Sequence, residues 1–242
     1  SKSHLAGVRD YSFVSKAICS LEYYYDNMVR CLYGLCYDNY IIANAHLIPK
    51  PNGWLKIKTK RGVFTVNSMS KLRIKEIVGS DLIVITCPKD MPPAPSRLQF
   101  RNPRRGEKVV MVSVTSSDAS GNTMVSESSI TSHKPNTNFW IHWISTKNGH
   151  CGLPIVSVED QCILGLHSLG SVHVKDNYYA AFGDDFGTEN LSKTSTGDWA
   201  SRWSYNPDNV NWGTMDLTRS KPTGSFKPTK EVSDLETDVE HQ

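Results

Sequence analysis

The stretch Asn148-Gly149-His150-Cys151-Gly152-Leu153-Pro154-Ile155-Val156-Ser157 sets a cysteine two residues after one glycine and directly before another, then runs into an apolar strand. Glycine reaches backbone conformations closed to other residues and lets another chain approach closely. A nucleophile on such a turn can be served by converging main-chain N–H groups. Those of Gly149 and Cys151 are the natural donors to an oxyanion. Taken alone, the stretch reads equally well as a structural cysteine in a hairpin. What lies upstream changes that balance.

A thiol needs a base to become a useful nucleophile, since free cysteine ionises only near pH ~8.5. His46 lies just after the apolar run Tyr40-Ile41-Ile42-Ala43, at a loop where a polar side chain can reach a cleft. A third group is required to orient the imidazole and stabilise its cation. Asp81 opens the run Asp81-Leu82-Ile83-Val84-Ile85-Thr86, and an acid beside so apolar a strand is costly unless paired. Each residue separately has an ordinary structural explanation. The order His, Asp, then a nucleophile far downstream is the chymotrypsin order.

The rest of the 242 residues fits an all-β chain. Trp54-Leu55-Lys56-Ile57-Lys58-Thr59 and Val63-Phe64-Thr65-Val66 alternate with period two. Runs at 109–114, 152–157, 162–167 and 178–182 are apolar and β-branched, punctuated by Asn, Gly, Asp and Pro. Many short strands at this spacing predict sandwiches or barrels. Five prolines between Pro88 and Pro103 read as a loop crossing the surface, and the Ser- and Gly-rich segment 113–122 as a link between two β units. One short helix is expected within 184–203, and the polar chain after Pro222 as an extended tail. The expected division is a first barrel over 1–115, a second over 116–205, and a C-terminal segment over 206–242.

Composition narrows the function. The formal net charge is +3, which permits nucleic-acid contact without arguing for it. No apolar run approaches the roughly 18–20 residues of a membrane span. The six cysteines have no CxxC spacing and suit a reducing compartment. His142, His150 and His173 match no clean ligand set, so no metal and no cofactor are expected. Ser1-Lys2-Ser3-His4 has neither an initiator Met nor the apolar core of a signal peptide, and the chain is expected to be cut from a longer one.

Over nearly its whole length the chain resembles the potyviral nuclear inclusion a family of chymotrypsin-like cysteine proteases. The resemblance is carried by Gly7-Val8-Arg9-Asp10-Tyr11, Asn44-Ala45-His46-Leu47, Gly79-Ser80-Asp81-Leu82, the stretch from Phe139 to Ser157, and Gly165-Leu166-His167-Ser168. It implies two antiparallel, six-stranded-type barrels of trypsin/chymotrypsin-like fold. It also implies a viral polyprotein-processing endopeptidase with His46, Asp81 and Cys151 as triad, working in the cytoplasm and nucleus of a host cell. Cleavage after Gln is implied, the P1 amide being read by His167 and Thr146. Asn148 stands where the family often has Asp, and its amide can still hydrogen-bond the P1 side chain. Trp212 matches a family tryptophan near the P2 and P4 sites.

The terminal Val239-Glu240-His241-Gln242 resembles the family's own cleavage signals, with Val239 as P4, His241 as P2 and Gln242 as P1. A substrate of this kind is expected to pair as an extended strand with the edge running from Leu169 to Tyr178, with Gly170, Val172 and Val174 giving backbone partners. The expected partner is the viral polyprotein, including this chain's own C-terminal junction. RNA is the alternative partner: the family binds it, and Lys56, Lys58, Lys60 and Arg61 cluster on one hairpin, with Arg101, Arg104 and Arg105 near a loop.

Overall fold

The longest strand pair is one that alternation does not announce. β1 (Ile18–Tyr25) and β2 (Met28–Tyr37) read ICSLEYYY and MVRCLYGLCY, without a clean polar face. They form because both faces of β1 are largely covered, with only Glu22 and Tyr24 partly open to solvent. Asp26 and Asn27 close the hairpin at φ 45° and 65°, as a two-residue turn with left-handed backbone requires. The computed structural model describes residues 10–68, 72–147, 149–171, 175–191, 220–222 and 225–228.

The strands divide between two antiparallel sheets. To β1 and β2 the first sheet adds β3 (Tyr40–Ala43), β4 (Trp54–Thr59), β5 (Gly62–Val66), β6 (Ile74–Ile77) and β7 (Leu82–Thr86), in the order β5-β4-β1-β2-β3-β7-β6. The second holds β8 (Lys108–Val114), β9 (Thr123–Val125), β10 (Ser129–Ile130), β11 (Ser132–His133), β12 (Phe139–His142), β13 (Pro154–Ser157), β14 (Ile163–Ser171) and β15 (Asn177–Ala181). Its order is β10-β8-β13-β14-β15-β12-β11, with β9 beside β8. Among the described residues helix is confined to α1 (Ser12–Ser15), a 3₁₀ turn at Ala45–Leu47 and α2 (Phe186–Asn190), the last inside the expected window.

The sheets part at a different place from the one the sequence suggested. β8, expected in the first unit, pairs with β13 through Met111↔Ile155 and Val110↔Val156. Segment 113–122 is therefore the end of β8 and the β8–β9 connection, 115–122, within the second sheet. The chain passes between sheets in the segment from Pro88 to Pro103, whose prolines have no N–H to give to a ladder. The C-terminal segment is also more ordered than an extended tail at two points. β16 (Ser220–Pro222) pairs with β14, and β17 (Ser225–Pro228) with β2, so a few residues bind both sheets.

Two apolar clusters fill the molecule. One lies inside the first sheet, on Leu21, Ile41, Ile83 and Ile85. The other takes the opposite face of the same strands, Ile42, Leu82 and Val84, together with the inward side chains of the second sheet. Successive residues of a strand face opposite ways, so β3 and β7 must be apolar on both sides. In the second cluster Tyr179 is fully buried, and its hydroxyl lies 2.6 Å from Thr131 Oγ1. Thr131 donates to the Ile141 carbonyl at 2.8 Å, so Tyr179 is the donor of the pair. Tyr179→Phe is expected to lower stability by about 1 kcal/mol. Urea unfolding should move its midpoint down without changing the slope.

Candidate active site

β3 and β7 are neighbours, with Ala43 opposite Ile83. The residues just beyond β3 and just before β7 are thereby brought together. After Ala43 the chain bends through Asn44 into the 3₁₀ turn and turns His46 inward. Asp81, one residue before β7, receives it. His46 N–H donates to Asp81 Oδ1 at 3.0 Å, and Nδ1 lies 2.6 Å from Oδ2. Ala45 N–H donates to the Asp81 carbonyl at 3.2 Å. The carboxylate is fully buried, and two further donors reach Oδ2: the Ser168 hydroxyl and, at 3.4 Å, the Asn44 amide. With Nδ1–H committed to the carboxylate, the ring's reactive nitrogen is Nε2. That atom is buried and makes no protein hydrogen bond.

Cys151 comes from the second sheet. A turn closed by His150 N–H to the Lys147 carbonyl (3.2 Å) leads into it. Gly149 and Gly152 on either side have φ of 91° and 89°, values that L side chains rarely adopt. Gly152 is also pinned by close approach: a Cβ there would lie 1.8 Å from the Tyr33 carbonyl oxygen. Tyr33 N–H donates to the Cys151 carbonyl at 2.9 Å, so β2 of the first sheet holds the nucleophile's turn directly. Cys151 Sγ is buried and lies 3.0 Å from the Ser168 carbonyl.

Electrostatics couple the three groups. Burial by itself pushes the His46 imidazole down. Asp81 and the Cys151 sulfur outweigh it and hold the ring up at about 10. The imidazolium is therefore the favoured form at neutral pH. A buried acid, an imidazole fixed by it and a thiol facing the free nitrogen can together perform nucleophilic acyl transfer.

The other expected residues are placed unevenly. His167 is fully buried on β14, its Nδ1 3.1 Å from His142 Nε2. Thr146 Oγ1 donates to Asn177 Oδ1 at 3.2 Å. Gly170 is not a free edge: it lies opposite Lys221 of β16, so the chain's own C-terminal segment bridges β14 there. Tyr178, expected in the groove, is 5% exposed and packs in the core, because β15 is paired on both sides. Asn148, Val172, Val174, Trp212, Val239, His241 and Gln242 lie outside the described residues. Ser168, Asn44, His142 and Asn177 entered none of the expected roles. For Ser168 no local signal was present: the ladder shifts register between His167 and Leu169, so simple alternation does not tell which way its side chain faces.

The basic hairpin is engaged within the molecule. Lys58 pairs with Glu22 at 3.2 Å, Lys56 lies 5.9 Å over the Tyr24 ring, and Arg61 donates to the carbonyls of Pro92 and Pro93. Arg101 is bound by Glu107 and Asp160. Among the described residues no cluster of three or more His, Cys, Asp or Glu could hold a metal, and no helix is long and apolar enough to cross a membrane.

Residues 1–233 match the model of peptidase family C4. The chain is 50% identical over all 242 residues to part of the genome polyprotein of Ryegrass mosaic virus, and it spans 8% of that polyprotein's length. A crystal structure of tobacco vein mottling virus protease superposes with a TM-score of 0.81 at 41% identity, covering 87% of this chain and 96% of that one. Catalytically active tobacco etch virus protease, complexed with product, gives 0.80 at 38%, covering 86% and 90%.

Two outcomes are expected from the geometry. Ser168→Ala removes a neutral donor from a buried carboxylate and should lower stability by about 1.5–3 kcal/mol in chemical denaturation. The folded state holds the His46 proton more tightly than the unfolded one, where the imidazole titrates near ~6.5. The stabilisation is thus complete below that pH and drains away as pH rises through about 10. The stability gap between the wild type and His46→Ala should be widest near pH 6 and shrink steadily toward pH 10.

Proposed function

The chain belongs to peptidase family C4, the potyviral cysteine proteases of chymotrypsin-like fold that process the viral polyprotein, and from that premise we propose that it cleaves after Gln in Val-x-His-Gln-like sites with His46, Asp81 and Cys151 as its triad. The observation that carries this reading is the buried Asp81–His46 pair at 2.6 Å beside the Cys151 sulfur.

The Cys151 sulfur, paired with protonated His46, attacks the carbonyl carbon of P1. The oxyanion that forms is received by the N–H groups of Gly149 and Cys151. Collapse of the tetrahedral intermediate breaks the C–N bond, and His46 Nε2–H passes its proton to the leaving amine. The product is a thioester on Cys151. His46, now neutral, takes one proton from water as the water attacks the thioester; collapse expels the Cys151 sulfur, releases the P1 carboxylic acid, whose proton passes to solvent, and leaves His46 protonated. Asp81 keeps its charge throughout and stabilises each imidazolium state. His167 and Thr146 hold the P1 side chain, with Asn148 in support.

The test uses a quenched peptide containing Thr-Asp-Val-Glu-His-Gln followed by Ser. The reduced enzyme is expected to cut after Gln. Cys151→Ala should abolish cleavage, and replacing the peptide's Gln by Glu should nearly do so. Cleavage by Cys151→Ala at the parent rate would overturn the assignment of the nucleophile. Cutting elsewhere in the peptide would overturn the P1 preference.

A further inference from the structure

His167 and Thr146 each touch one buried polar neighbour. His142 ends β12 and Asn177 opens β15, and the two are directly opposite in the ladder. Both are buried, His142 fully. Both are also tied to one residue two positions past β12. Ile144 N–H donates to His142 Nδ1 at 3.1 Å, and the Ile144 carbonyl accepts from Asn177 Nδ2 at 2.7 Å.

These backbone bonds fix the direction of every bond further out. His142 Nδ1 accepts from a main-chain N–H, so in the neutral ring the proton is on Nε2. Nε2–H then points at His167 Nδ1, 3.1 Å away, which must accept. In neutral His167 the proton is consequently on Nε2, and that atom is buried with no partner in the protein. Burial depresses both rings, His142 to about 3 and His167 well below its ordinary value, so neither charges at neutral pH. The second arm runs the same way with the opposite outcome. Asn177 gives its NH₂ to the Ile144 carbonyl, so its carbonyl oxygen faces Thr146. A flipped amide would set two acceptors against each other. Thr146 spends its only proton on Asn177 Oδ1 at 3.2 Å, leaving lone pairs.

We propose that His142 and Asn177 are positioning residues that set the hydrogen-bond polarity of the P1 pocket, making His167 Nε2–H a donor and Thr146 Oγ1 an acceptor. The proposal rests on the reading of His167 and Thr146 as the groups that hold the P1 side chain. One donor and one acceptor match a primary carboxamide, which offers one C=O and one NH₂. A carboxylate has no proton for Thr146 and brings an unpaired charge into a buried site. Neither outer residue touches substrate. Each acts through the group it orients, and Ile144 anchors both.

Histidine-selective ¹⁵N NMR of the intact, reduced enzyme reads the ring tautomers without substrate or substitution. Both His142 and His167 are expected neutral with the proton on Nε2, and a His167 protonated on Nδ1 overturns the proposal. Kinetics supply the second arm. kcat/KM is measured on two peptides that differ only in Gln or Glu at P1. His142→Leu and Asn177→Leu should each lower the Gln-to-Glu ratio roughly ten-fold, the size of one misdirected hydrogen bond. His142→Gln, whose amide can accept from Ile144 and donate to His167, should recover most of it, which a merely structural role would not predict. An unchanged ratio in folded His142→Leu, with the wild-type tautomers as assigned, overturns the proposal and leaves the pocket itself standing. A wild type with no preference for Gln overturns the pocket and the proposal together. Should the Leu variants fail to fold, the tautomers of the wild type and the ratio for His142→Gln still decide.

Discussion

A carboxylate buried between two sheets is the constraint around which this molecule is arranged. Asp81 has no exposed surface, and an unpaired charge in that position would cost several kcal/mol. It is satisfied by the backbone and ring of His46, by the Ser168 hydroxyl and by the Asn44 amide. Three of these donors come from the residues just after β3, and one crosses from β14 of the second sheet. The same bonds that make the charge tolerable therefore also fix the imidazole and tie the two sheets at the site. Stability and chemistry draw here on one set of contacts.

Cys151 is held from the other direction. Gly152 lies against the Tyr33 backbone, and Tyr33 in turn bonds the Cys151 carbonyl. A strand of the first sheet thus supports the turn of the second. The C-terminal segment adds a further tie, with β16 on β14 and β17 on β2. β17 covers Met28 to Cys31, and Arg30 within that span donates to the His46 carbonyl. Asp81 through Ser168, and Cys151 through Tyr33, each reach across the boundary between sheets, which keeps their relative placement from depending on any one loop.

The groups proposed to read P1 follow a different logic from the proposed triad. His46 lies between a carboxylate and a sulfur and is held charged. His167 has the His142 imidazole against its Nδ1, and burial holds it neutral. In the proposed mechanism one residue type serves as proton carrier in the first environment and as a fixed donor in the second. The difference is made by what each ring's Nδ1 touches: an anion for His46, a neutral N–H for His167.

Much of this was legible in the amino-acid sequence. The runs at 40–43, 54–59 and 82–86 are strands because β-branched residues between turn formers leave little alternative. His46, Asp81 and Cys151 could be picked out because each carries chemistry that its apolar or glycine-rich neighbours do not explain. The sequence also determined that Gly149 and Gly152 would take backbone values denied to other residues. Only the tertiary structure decided the rest. β1 is largely buried on both faces, and the partly open residues of β2 fall on both of its faces, so their pattern carries no period. β8 could join either sheet by its composition, and only its pairing with β13 places it in the second. The Gly170 edge is covered by residues fifty positions later, and Tyr178 is turned into the core by strands on both sides. Ser168, His142 and Asn177 have no local mark, because what distinguishes them is the direction of hydrogen bonds to partners far along the chain, and that direction exists only once the sheets have formed.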